Sequence, residues 1–103
     1  MIRHVALFRW SEGTTSDQVA DVRAGLEGLP AAVPSIRAYA HGPDLRLGQG
    51  RWDYAVIADF DDAEGYADYD AHPAHAAVRS ERIAPLVAER AVVQVDLAAP
   101  LPR

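Results

Sequence analysis

Ile2-Arg3-His4-Val5-Ala6-Leu7-Phe8-Arg9-Trp10 alternates along its whole length. Successive side chains of a strand point to opposite faces, so Ile2, His4, Ala6, Phe8 and Trp10 share one face and Arg3, Val5, Leu7 and Arg9 the other. Its β-branched and aromatic content predicts a strand. Trp52 to Phe60 repeats the pattern, with Trp52, Tyr54, Val56, Ala58 and Phe60 on one face and Asp53, Ala55, Ile57 and Asp59 on the other. Each strand has one face apolar over nearly its whole length and a second face apolar at its centre, through Val5, Leu7, Ala55 and Ile57. A sheet built from them needs cover on both sides.

The segments between and after these strands supply helices. Thr14-Thr15-Ser16 offers hydroxyl N-caps ahead of Val19, Val22, Leu26 and Leu29, which recur at helical spacing. Gly25 and Gly28 lower the propensity of that helix by about 1 kcal/mol each relative to Ala, so tertiary packing must hold it. Gly28 with Pro30 marks its end. Ser35 to His41 reads as a weaker strand with Ile36, Ala38 and Ala40 opposite Arg37, Tyr39 and His41, and with His41 exposed at its end. The polar, glycine-containing segment from Gly42 to Gly50 is expected as a surface loop and a candidate flap. Asp61-Asp62 caps a second helix carrying Glu64, Tyr66, Tyr69 and Asp70. Pro73 disfavours helical geometry at His72, which predicts a stop near Ala71 and a restart beyond the proline. Pro85 predicts another kink, and Ala91 to Leu97 a final strand. The expected domain is 1–98, with 99–103 as a C-terminal tail.

The resulting order, βαββαβ, is that of an α+β, ferredoxin-like protomer: an antiparallel sheet with its helices on one face. An open apolar sheet face is rare on a monomer. A second copy packed sheet to sheet about a two-fold axis covers it, so a homodimer is expected.

Composition narrows the function. The 103 residues suit one domain, and the formal net charge of −5, without a Lys or Arg cluster, argues against nucleic acid as partner. There is no cysteine, which excludes disulfides, thiolate metal ligands and a Cys nucleophile. No apolar run approaches a membrane span and no signal-peptide pattern opens the sequence, so no membrane association and a cytoplasmic location are expected. The glycines at 42, 48 and 50 do not form a phosphate loop, and no nucleophile elbow is present.

Tyr69-Asp70-Ala71-His72-Pro73-Ala74-His75 gathers a phenol and two imidazoles around a helix break. Together with Ile2 to Trp10, the Leu29-Pro30 to Pro34-Ser35-Ile36-Arg37 passage and Asp53-Tyr54-Ala55-Val56, it resembles the stress-responsive dimeric α/β-barrel (Dabb) family over nearly the whole chain. The resemblance implies a ferredoxin-like protomer whose sheet meets its partner's to form a dimeric α+β barrel, each protomer holding a cavity between sheet and helices. In polyketide cyclases of that family, which need neither metal nor cofactor, the catalytic pair is the tyrosine and the last histidine of a Tyr-x-x-His-Pro-Ala-His motif. Those positions are Tyr69 and His75 here. The resemblance places His72 and His4 in the substrate pocket, and Tyr54 stands where a further pocket histidine is found, a departure. Phe8 and Val56, on the strand faces of His4 and Tyr54, complete the expected lining.

That chemistry is physically reasonable. Imidazole is a neutral base near physiological pH, and a phenol donates to a developing enolate. The expected reading is a cofactor-independent cyclase-like or isomerase-like enzyme acting on a small apolar carbonyl compound. Two alternatives stand beside it: a non-catalytic, stress-associated or ligand-binding barrel, and a cofactor-free monooxygenase-like barrel, the latter by fold analogy alone. Each residue also has a plainer role: His72 as a helix-end group bonding a free carbonyl, Tyr69 as a buried anchor, His4 as a hydrogen-bonded core histidine. His72 and His75 are three residues apart, but Pro73 breaks the register, so a metal site is weakly supported and none is expected.

Overall fold

The computed structural model describes residues 1–98, and the expected tail at 99–103 lies outside them. Strand β1 (Ile2–Trp10) leads into helix α1 (Ser16–Glu27) and a short helix α2 (Leu29–Ala32). Strands β2 (Ala38–Pro43) and β3 (Tyr54–Phe60) follow, then α3 (Ala63–Ala71) and α4 (Pro73–Val78). A π turn (Arg79–Ile83) and a 3-10 turn (Ala84–Leu86) lead into β4 (Val87–Asp96). The four strands form one antiparallel sheet in the order β2-β3-β1-β4. This is the α+β, ferredoxin-like arrangement, with β1 and β3 at the centre. Among the described residues, no helix is long and apolar enough to cross a membrane.

Register sets the two faces. Residues directly opposite across an antiparallel pair lie on one face, so Tyr39, Ala58, His4 and Gln94 make one row across the sheet. His41, Val56, Ala6 and Val92 make the next, and Pro43, Tyr54, Phe8 and Arg90 a third. These rows face the helices, and the buried core of Ala6, Phe8, Val56, Ala58 and Phe60 lies there against Val22, Leu26, Leu29 and Val33. Burying one such Leu or Val side chain contributes about 1.5–3 kcal/mol. The opposite face carries Val5, Leu7, Ala55 and Ile57 at its centre, half-buried, with Val93 and Val95 about half exposed on β4. Among the described residues, nothing covers it.

Helix α1 opens on a capping box in which Thr15 accepts from the Gln18 amide and the Gln18 side chain accepts from the Thr15 amide. Gly25 in its last turn reflects a close approach: a Cβ there would lie 2.8 Å from Arg82 Cδ and 3.2 Å from Val78 Cγ1. The propensity lost at this glycine thus lets α1 pack on the segment after the helix break.

Three expectations are corrected. β2 runs from Ala38 to Pro43 instead of from Ser35, because the chain turns at Val33–Ile36 before Arg37 donates to the Asp59 carbonyl. Its alternation is as expected, and the packing shows which face turns inward. Tyr39 and His41 point to the helices while Ala38 and Ala40 are exposed, since bulky aromatic groups fill the space under α1 and α3 that methyl groups leave empty. His41 is therefore not solvated: its side chain is 5% exposed, bonded to the Tyr54 hydroxyl at 2.7 Å and near Glu27 Oε1 at 3.3 Å. Finally, β4 begins at Val87, four residues earlier than the sequence suggests.

Candidate active site

The helix break has a local cause. His72, held extended at φ −65° and ψ 134° ahead of Pro73, ends one helix and begins the next. Its amide donates to the Tyr69 carbonyl, and its Nδ1 accepts from the Ala74 amide at 3.0 Å. The expected role of bonding a free carbonyl through the ring is corrected: the ring is an N-cap. The break also reorients the chain. On one continuous helix, residues six apart point about 120° away from each other, yet the Tyr69 and His75 rings stack at 4.1 Å between centroids, tilted by 30°.

Tyr69 and His75 meet over a cavity of about 410 Å³ between the sheet and the helices. His4, Phe8 and Val56 line it with them, as do Leu26, Ile83 and Val87. Two expected pocket residues do not. His72 borders a separate surface recess with Pro34, Ser35 and Asp68, because its ring is turned back to cap α4. Tyr54 is 1% exposed and sends its hydroxyl to His41, away from the cavity.

Hydrogen bonds assign the neutral forms. The only ring nitrogen able to bond a carbonyl is one carrying a proton, so His75 Nδ1, 3.3 Å from the Asp70 carbonyl, is the N–H and Nε2 is left basic. His4 is the reverse: Gln94 Nε2 donates to its Nδ1 at 2.8 Å, which puts the proton on Nε2. The two imidazoles thus differ in role, one an acceptor and one a donor. Burial lowers the pKa of both, and each is lowered further by the Arg90 guanidinium. Both are neutral at pH 7.

Burial also raises the Tyr69 phenol above its ordinary range, partly offset by the hydrogen bond with Tyr39. The two hydroxyls are 3.0 Å apart, and Tyr39 is itself pushed far up by burial and by the neighbouring Tyr69. Both hydroxyls therefore keep their protons, and when Tyr39 is the donor of the pair the Tyr69 proton is free for the cavity. Tyr39 was missed in the sequence, although the size contrast between Ala38, Ala40 and Tyr39, His41 signals which face fills a core. Asp70, Arg79, Ser80 and Arg90, which add a polar wall, gave no sequence signal. A π turn, a feature common at functional sites, presents Arg79, Ser80 and Ile83. No cluster of three or more His, Cys, Asp or Glu placed to hold a metal occurs among the described residues.

The profile of the stress-responsive A/B barrel domain matches residues 2–97. The chain belongs to that family. A solved dimeric ferredoxin-like protein of unknown function from Thermobifida fusca is 48% identical to this A/B barrel domain, with a TM-score of 0.86 over 93% of this chain and 90% of that one. The stress-response A/B barrel domain-containing protein HS1 of Arabidopsis thaliana is 26% identical over 76 residues, 72% of this chain and 70% of its own. A hydroxynitrile lyase from Passiflora edulis shares the fold at 16% identity, with a TM-score of 0.84 over 98% and 96% of the two chains.

The buried histidines of this A/B barrel domain give it a pH-dependent stability. His4, His41 and His75 all have folded pKa values lowered by burial, so the unfolded chain, titrating near 6.5, binds protons first. Their contribution is complete above pH 6.5 and is lost as pH falls below it. Asp59, lowered by its hydrogen bond from Arg3, adds a second loss only below its unfolded value of about 3.9. Thermal melts should show Tm falling between pH 6.5 and 5; a constant Tm over that interval would count against buried neutral histidines.

Proposed function

We propose that this A/B barrel domain is a cofactor-independent proton-transfer enzyme, of the cyclase or isomerase type, acting as a homodimer on a small, largely apolar carbonyl compound. The observation that carries the reading is the stacked Tyr69–His75 pair over one cavity, both groups held neutral by burial. His75 Nε2 takes a proton from the carbon next to the carbonyl. The electron pair of that C–H bond becomes the C=C bond of the enolate while the carbonyl π pair moves onto oxygen, where the Tyr69 hydroxyl donates, supported by Tyr39. His4 Nε2–H is a second donor on the same wall. His75 then returns its proton to another carbon, or the enolate carbon attacks a second carbonyl of the same molecule, closing a ring as the first C=O re-forms, and the new alkoxide takes the proton held on His75. Such a pre-placed base and donor each contribute about 10²–10⁴-fold in typical enzymes. The cavity volume suits a single ring or a short chain.

The dimer rests on the uncovered apolar face of the sheet, and dimeric assembly of the Thermobifida fusca protein supports it. The test of the reaction is deuterium uptake from D₂O into the methyl group of acetophenone. The wild-type protein is expected to catalyse exchange, and Tyr69→Phe to slow it by about 10-fold or more. Exchange no faster than in buffer would remove the proposal.

A further inference from the structure

This acid-rich chain has no lysine, so its formally positive side chains are all arginines. Among the described residues, every other arginine reaches a carboxylate: Arg3 meets Asp59, Arg9 and Arg51 meet Glu89, and Arg23, Arg37, Arg46 and Arg82 each find their own. Arg79, on the cavity wall, is paired with Asp70 at 3.3 Å. Arg90 alone has neither an ion pair nor a hydrogen bond within the described residues. It is also the arginine that the sheet register places beside Phe8 on the helix-facing side, and it lines the cavity. Its charge is close enough to depress both imidazoles and to act on Tyr66. With Asp70 neutralised by Arg79, the cavity wall carries one uncompensated positive charge in a protein of net charge −5.

We infer that the ligand of this cavity is an anion, a small carbonyl compound bearing a carboxylate, whose charged end pairs with Arg90 while its carbonyl end lies against Tyr69 and His75. The inference rests on the proton-transfer reading above and names its substrate class. A guanidinium matches a carboxylate with two parallel N–H donors, giving orientation as well as attraction. The apolar middle of the cavity, from Phe8, Val56 and Leu26, holds the carbon skeleton between the two ends. Because Arg90 is exposed, its pairing is open to solvent and sits at the lower end of the range for charge-assisted bonds, about a tenfold preference for acid over neutral analogue.

The test uses two probes of nearly equal shape, 3-phenylpropanoate and 3-phenylpropanamide. Each is titrated into the full-length protein and into Arg90→Gln while the His4 and His75 ring resonances are followed. The expected result is that both probes shift those resonances, that the acid binds the wild type about tenfold more tightly, and that Arg90→Gln loses the preference while its affinity for the amide is unchanged. Equal affinities in the wild type overturn the anion assignment and leave the proton-transfer site standing. A preference that survives in Arg90→Gln overturns the assignment to Arg90. If neither probe moves either histidine, the cavity is not a small-molecule site, and this inference falls together with the reading it rests on. Arg90 has no partner to lose among the described residues, so the variant is expected to melt with the wild type.

Discussion

His75→Ala should lower catalysed deuterium exchange into acetophenone by about 10²–10⁴-fold, the usual contribution of a positioned general base, without dissolving the dimer. The size follows from the neutral form described above. His75 Nδ1 is committed to the Asp70 carbonyl, so Nε2 is the basic nitrogen, and burial keeps it unprotonated at pH 7. His4 cannot replace it, since Gln94 occupies its basic nitrogen. Alanine removes the base and the ring stacked on Tyr69, but His75 is only half-buried on a short helix, so the fold should survive. The acid limb of the activity profile is expected below pH 6.5, and the alkaline limb above pH 10, where the raised Tyr69 phenol begins to ionise. Undiminished exchange by the variant would take His75 out of the mechanism.

Ile57→Asp should convert the dimer to monomers. Ile57 lies in the row Ala40, Ile57, Val5, Val93 at the centre of the uncovered face. In the proposed dimer a carboxylate there is buried without a partner, at a cost of several kcal/mol, which is more than a thousandfold in the dissociation constant. The Arg3–Asp59 pair, on the same face one row away, already engages its own carboxylate and offers little compensation. Sedimentation velocity at micromolar concentration should show a dimer for the wild type and a monomer for the variant. A monomeric wild type, or a variant that remains dimeric, would mean that this face is not the interface.

The strong periodicities of the sequence carried most of the fold. The alternation of Ile2–Trp10 is satisfied by β1 and the apolar spacing of Val22 and Leu26 by one face of α1, while Leu29 continues the buried stripe on α2. β2 was harder, because Ala38 and Ala40 are apolar but small. Alternation alone left its inward face open; volume sends Tyr39 and His41 there and the alanine methyls to the open side. The site was legible where one local cause governs it. Pro73 breaks the helix as any proline would, and His75 with Tyr69 and His4 arrives in one cavity. Tyr39, Gln94 and Arg90 were not legible because their roles depend on strand register between segments far apart in the chain. Gln94 becomes a partner of His4 only through the pairing of β1 with β4. His72 and Tyr54 share the residue types of the site but are turned aside by local bonds, one to a helix amide and one to His41.

The tautomer and titration of the His75 ring test the central claim most directly. In ¹⁵N–¹H correlation spectra of the ring nitrogens at pH 7, the account predicts a neutral imidazole with Nδ1 protonated and Nε2 bare. It also predicts a midpoint below 6.5 and a shift of both nitrogens on addition of acetophenone. An imidazolium at pH 7, or the proton on Nε2, would contradict it.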